Sequence, residues 1–201
     1  MTSAGLLLAA GSGSRLGMPK ALVELDGELL VDRGVAALAA GGCDPVVVVL
    51  GAAARDVVTK ARLDGAIVVV NDSWSEGIGS SLRVGLTVLA DLRAPRVVVS
   101  LADQPGVTAD VVRRVVTAED GAPAVVASYR GRPGNPARLD ASLWPAVAQL
   151  AVGDVGARAW MRQHPEQVAV IACDDLGNDD DVDTPEDLSR LAGGTEMERN
   201  A

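Results

Sequence analysis

Three runs of mostly β-branched residues with no polar alternation constrain this chain most: residues 45–50 (Pro-Val-Val-Val-Val-Leu), 66–70 (Ala-Ile-Val-Val-Val) and 96–101 (Arg-Val-Val-Val-Ser-Leu). A strand with one wet face alternates, whereas a strand that reads apolar throughout is buried on both faces. That requires a parallel sheet with helices on each side. The intervening segments carry helical spacing. Residues 29–40 repeat apolar side chains at that spacing and stop at Gly41-Gly42, a natural helix end, and residues 53–62, 79–90 and 108–117 read as further helices. With the opening run Leu6-Leu7-Leu8-Ala9-Ala10, the first two-thirds of the chain makes five β-α alternations, so an α/β class with a doubly wound, mostly parallel sheet is expected.

The last third changes character. Residues 124–128 and 135–139 flank Tyr129-Arg130-Gly131-Arg132-Pro133-Gly134, which reads as two strands joined by a turn, an antiparallel insertion in the parallel order. Helices are expected at 141–150 and 155–162, a strand at 167–172, and a last helix opening with Thr184 as N-cap and Pro185 in its first turn. No linker or repeat divides the chain, so a single domain is expected over residues 1–192, with 193–201 as a frayed polar tail.

With 201 residues, 48% of them hydrophobic, the chain can bury a full core. A net charge of -9 argues against nucleic acid or an anionic membrane as partner, because both need a basic face. No apolar run reaches the ~20 residues of a membrane span, and the N-terminus has no basic segment followed by a cleavage site, so a cytoplasmic location is expected. Cys43 and Cys173 show neither metal-ligand spacing nor a disulfide pattern and read as small apolar residues. The single histidine, His164, reads as a surface or capping residue and excludes a His-based zinc site.

In an open parallel sheet a ligand sits beyond the carboxyl ends of the strands, so the loops there are read together. After the first strand comes Gly11-Ser12-Gly13-Ser14-Arg15-Leu16-Gly17-Met18-Pro19-Lys20. Glycines let backbone N–H groups approach an anion, and Arg15 and Lys20, the latter one of only two lysines, add positive charge. A P-loop is excluded because Met18 follows Gly17, and the dinucleotide fingerprint because Leu16 stands where its last glycine belongs. An ordinary strand-to-helix turn has the same glycine content and stays open. After the third strand, Asn71 to Ser81 is small and polar at a helix start, where an anion or a base edge could be received. After the fourth, Asp103 puts a carboxylate at a strand tip, either as a turn residue or as a Mg²⁺ ligand beside substrate phosphates. Asp174, Asp175, Asp179, Asp180 and Asp181 read as a solvated loop, and Trp74, Trp144 and Trp160 as packing residues, with Trp74 alone near the base site.

These residues carry a family resemblance. Leu8-Ala9-Ala10-Gly11-x-Gly13-x-Arg15-x-Gly17-x-x-Lys20 resembles the signature of the MobA-like NTP transferases, which have the Rossmann-like nucleotide-diphospho-sugar transferase fold. Asn71-x-x-Trp74-x-Glu76-Gly77-Ile78-Gly79-Ser80-Ser81-Leu82-Arg83, Leu101-Ala102-Asp103-Gln104-Pro105, Gly153-Asp154-x-Gly156-Ala157-Arg158 and Asp183-Thr184-Pro185-Glu186-Asp187-Leu188 resemble its molybdenum cofactor cytidylyltransferase branch. The resemblance implies a Mg²⁺-dependent enzyme that takes CTP and passes CMP to a phosphorylated pterin acceptor, the molybdenum cofactor, whose product would go on to a molybdenum hydroxylase. It implies that Leu8, Ala9, Ala10, Gly11 and Gly13 hold the nucleotide with Gly79 and Ser80 facing the base, and that Arg15 and Lys20 neutralise the triphosphate. Asp103 and Asp183 would carry Mg²⁺, and Asn135, Asp154 and Arg158 would face the acceptor. Where guanine-using members read Leu-Ala-Gly-Gly, this chain has Leu8-Ala9-Ala10-Gly11, which implies a pyrimidine; and where cytidylyl relatives often read Gly-His-Pro, it has Gly134-Asn135-Pro136. The chemistry itself needs positioning and charge neutralisation but no covalent nucleophile, in keeping with the lack of a Cys-His pair. Two further readings stay open: the same transfer to a sugar phosphate or other organic phosphate, and a non-catalytic nucleotide or cofactor carrier.

Overall fold

The computed structural model describes residues 2–119 and 121–199. A seven-stranded sheet runs in the order β5-β4-β1-β6-β8-β7-β9, where β1 is Ser3–Ala9, β4 Cys43–Leu50, β5 Ile67–Val70, β6 Arg96–Leu101, β7 Ala124–Tyr129, β8 Arg132–Asp140 and β9 Val168–Ala172. The remaining two short strands, β2 (Glu24–Leu25) and β3 (Glu28–Leu29), form a separate antiparallel hairpin. Six of the seven strands point one way and only β8 is reversed, pairing antiparallel with both β6 and β7. The expected insertion is therefore a single inverted strand. Its turn is also tighter than expected, because Arg130 and Gly131 both adopt left-handed backbone and close the hairpin alone.

Helices cover both faces. Successive residues of β1 point to opposite sides, Leu7 into the layer of α1 (Leu30–Ala40), α2 (Ala54–Lys60) and α4 (Ala109–Thr117), Leu6 and Leu8 into that of α3 (Ile78–Asp91), α5 (Trp144–Leu150) and α6 (Arg158–Gln163). Glycines bring the two layers close: a Cβ on Gly34 of α1 would lie 2.7 Å from Leu7, and one on Gly85 of α3 would collide with Leu6. Trp144 and Trp160 are buried in the second layer, as expected. Cys43 and Cys173 are buried free thiols, and burial pushes the Cys43 pKa up to about 12.

Three expectations change. Among the described residues the first two-thirds of the chain holds four β-α units, not five, because the fifth strand, β7, runs into β8 and not into a helix. The run 66–70 is an edge strand whose Val68 and Val70 face outward, so its unbroken hydrophobicity did not mean burial on both faces. The last helix, α7 (Pro185–Arg199), continues past residue 192, while residues 200 and 201 of the expected tail lie outside those described. At its start the Thr184 backbone N–H donates to the Asp187 carboxylate at 2.9 Å and the Asp187 N–H donates to the Thr184 hydroxyl at 3.2 Å, a reciprocal cap. Among the described residues no helix is long and apolar enough to cross a membrane.

Candidate active site

β1 and β6 are neighbours, and their carboxyl ends open into a cavity of about 410 Å³. Leu8, Ala9, Ala10, Gly11, Ser12 and Lys20 line it from the first loop, Leu101, Ala102 and Asp103 from the tip of β6, and Trp74, Ser75, Gly77, Ile78 and Ser81 from the entry into α3, with Asp154 at the rim. Gly11 faces open space: a Cβ there would meet nothing nearer than the Lys20 stem at 3.9 Å. Gly13 does different work. It holds a left-handed turn, and a Cβ on it would strike the Met18 carbonyl, so it shapes the loop from outside the cavity.

Lys20 is the electrostatic centre. Its ammonium donates to Asp103 at 2.6 Å and to Asp183, which arrives from 163 residues along the chain. Burial pulls the ammonium's pKa down, but the Asp103 carboxylate, joined by Asp183, outweighs that effect and holds it above its ordinary value. Arg15 approaches Asp183 at 3.7 Å with its side chain 76% exposed, so it is free to turn toward an anion. Asp183 is delivered by a small apolar cluster in which Val182 packs with Val23, Leu25 and Leu30 around the β2–β3 hairpin and Leu188 of α7 joins them. The Val182 N–H also donates to the Asp103 carbonyl at 2.8 Å.

The entry into α3 is held rigidly. Asn71 is buried, donates to Ser80 and Ser81 at 2.8 and 3.0 Å, and accepts from the Ser73 N–H at 3.0 Å. The Gly79 N–H donates to the Gly153 carbonyl at 2.9 Å, and a Cβ on Gly79 would lie 2.6 Å from the Ala151 carbonyl. Gly79 and Ser80 therefore stand behind the wall, and it is Gly77, Ile78 and Ser81 that face the cavity. Trp74 lines the cavity and packs on Gly51 beside Ala10.

An adjoining pocket of about 220 Å³ shares Leu8, Ile78, Leu101 and Asp154 with the first and adds Asn135 and Arg158. Sequence reasoning gave Gln104 no role, yet it joins the two sides. Buried, it accepts from the Asn135 amide at 2.9 Å and donates to Asp181 at 2.9 Å. The acidic run is likewise tied down: Asp175 pairs with Arg114 at 2.6 Å, and Asp180 with Arg130 at 2.9 Å. Among the described residues no group of three or more His, Cys, Asp or Glu side chains is placed to hold a metal. Asp103 and Asp183 do converge on one cation, the Lys20 ammonium, and two carboxylates suffice for an ion whose other positions are filled by phosphate and water.

A glycine loop with its lysine, an aspartate at a strand tip and a second aspartate from the segment before α7, gathered on a doubly wound sheet, mark the class of nucleotide-binding α/β proteins. Over residues 5–168 the chain matches the MobA-like NTP transferase domain, and it belongs to that nucleotidyltransferase family. It is 41% identical over 195 residues to nicotine blue oxidoreductase of Paenarthrobacter nicotinovorans, covering 93% of this chain and 95% of that protein. It is 33% identical over 200 residues to molybdenum cofactor guanylyltransferase of Rhodobacter capsulatus, covering 94% and 95%. A crystal structure of a homologue, from Mycobacterium sp. strain JC1, of the Mycobacterium tuberculosis protein Rv0371c superposes with a TM-score of 0.85 at 32% identity over 97% of both chains.

Proposed function

We propose that this chain transfers CMP from CTP to a phosphorylated acceptor of the pterin class, the molybdenum cofactor, with Mg²⁺ and with release of pyrophosphate. The observation that carries the reading is the meeting of Asp103 and Asp183 on Lys20, beside a cavity lined by Leu8 to Ser12. An oxygen of the acceptor phosphate attacks the α-phosphorus; the new P–O bond forms as the bond to the β-phosphate oxygen breaks, and pyrophosphate departs with that electron pair. Lys20 and Arg15 neutralise the charge on the departing group, the loop backbone fixes the triphosphate, and Asn135, Asp154 and Arg158 orient the acceptor. Mg²⁺, held by Asp103 and Asp183, supplies further neutralisation of the phosphate oxygens when bound.

A second reading is favoured by one observation, the name of the relative at 41% identity, which is that of an oxidoreductase. There the same grip would hold a redox nucleotide. One experiment separates the two: pyrophosphate release with each NTP, with and without the molybdenum cofactor, beside NADH and NADPH consumption. Pyrophosphate released from CTP only when the cofactor is present supports the transferase. Release with sugar phosphates alone would move the acceptor class, and reduced nicotinamide consumed without any pyrophosphate would overturn the transferase.

A further inference from the structure

The two cavities of the site meet at Leu8, Ile78, Leu101 and Asp154, and of these four only Asp154 has a polar side chain. A carboxylate accepts from N–H and O–H donors and turns phosphate oxygens away, so its position limits where an acceptor phosphate can lie beside a bound nucleotide. Among the described residues no hydrogen bond or ion pair holds that carboxylate, and its place is set by the loop that carries it. The loop, residues 151–157 between α5 and α6, has little packing of its own. Ala151 and Ala157 are buried at its ends, but Val152 and Val155 are 65% and 38% exposed and Gly153 takes left-handed backbone. What holds it is α3. The Gly79 N–H donates to the Gly153 carbonyl, and the Arg83 guanidinium donates to the Ala151 carbonyl while its other terminal nitrogen stands 3.6 Å from Glu76, in the turn before α3. Arg83 itself lines neither cavity.

We infer that Arg83 is a positioning residue for the transfer. By tying the start of the 151–157 loop to α3, whose entry lines the nucleotide cavity through Gly77, Ile78 and Ser81, it fixes Asp154 at the junction and so sets the acceptor against the nucleotide. This rests on the transferase reading and adds to it a residue that touches neither ligand. A misplacement of about 1 Å between reacting groups can cost on the order of 10²-fold in rate. The Gly79 link stays in place when the guanidinium is removed, so the loop is loosened at one end only and the cost is on the order of tenfold.

The test is a double-mutant cycle read by pyrophosphate release from CTP with the molybdenum cofactor as acceptor. Arg83→Met is expected to lower kcat on the order of tenfold and to leave the CTP KM within about twofold of wild type. Asp154→Asn should be slower than wild type as well, and in that background Arg83→Met should cost nothing further, because it acts through Asp154. An arginine that serves only the fold would multiply its cost onto that of Asp154→Asn, or raise the CTP and acceptor KM together. Either result overturns the inference and leaves the transferase reading standing, and so does Arg83→Met turning over as fast as wild type. Should Arg83→Met fail to fold, Glu76→Gln, at a side chain 62% exposed, takes its place in the cycle with an expected cost of about threefold, and the same outcomes decide. No pyrophosphate from wild type with CTP and cofactor overturns the transferase reading itself and this inference with it.

Discussion

Asp103 stands at a strand tip with its carboxylate on Lys20 and none of the core resting on it. Asp103→Asn should therefore lower the rate of CMP transfer by ~10³-fold or more while the circular dichroism spectrum stays native; near-normal turnover in Mg²⁺ would remove Asp103 from the site. The same substitution tests the electrostatics. Lys20 has a pKa raised above 10.5, so the stability its partners lend is complete below that value and is lost as pH rises through the raised one. The melting-temperature gap between wild type and Asp103→Asn should be constant between about pH 7 and 10 and close above. On the proposed function, base preference should rest on Ala10. A Cβ on Gly51 would lie 2.8 Å from the Ala10 methyl and collide with Trp74, so Ala10 and Trp74 together close the cavity there. CTP should be preferred over GTP by roughly 10²-fold, from two base-edge contacts of about 1–3 kcal/mol each. Ala10→Gly should shrink that ratio, measured as the quotient of kcat/KM values. An unchanged quotient counts against a pyrimidine site.

At the scale of elements, the wall of the cavity depends on how closely α3 meets the 151–154 loop. Gly79→Ala forces a methyl to within 2.6 Å of a backbone carbonyl, an overpacking that costs about 1–3 kcal/mol. Scanning calorimetry should show the melting temperature lowered by ~2–10 °C, and no change would mean the loop yields. Gln104 couples β6 to β8: Gln104→Leu leaves the Asn135 amide without its acceptor and Asp181 without its donor. The acceptor KM should rise on the order of tenfold with the CTP KM little changed, and a rise in both alike would make Gln104 merely structural. Several elements were legible in advance. Periodicity located α1, α3 and α4 to within a residue or two, and Thr108 caps α4 by accepting from the Val111 N–H at 3.3 Å. The β2–β3 hairpin was missed although its signal was present, for Asp26-Gly27 between the alternating pairs Glu24-Leu25 and Glu28-Leu29 is a strong two-residue turn, and both residues take left-handed backbone.

Over the whole molecule, Lys20, Asp103 and Asp183 come from a loop, a strand tip and a C-terminal segment, so a ligand that bridges them couples binding to the stability of the entire chain. Mg²⁺ and CTP at ~100 times their Kd should stabilise it by about 2.7 kcal/mol and raise the melting temperature by roughly 5–10 °C. A rise with CTP that Mg²⁺ does not enlarge would count against a shared metal–nucleotide site. The sequence by itself determined the α/β class, the parallel strands β1, β4 and β6, and the nomination of the Gly11 loop, Lys20 and Asp103, because strand periodicity, glycine spacing and charge at strand tips are local properties, while Leu8 to Ala10 and Asp183 were nominated through the motifs that carry the family resemblance. Only the tertiary structure decided the rest. Which strand is inverted depends on pairing across the sheet, and whether Gly79 faces the cavity or the 151–154 loop depends on what packs behind it. Asp183 reaches Lys20 because Val182 finds an apolar seat beside the β2–β3 hairpin, a contact set by burial between segments far apart in the chain.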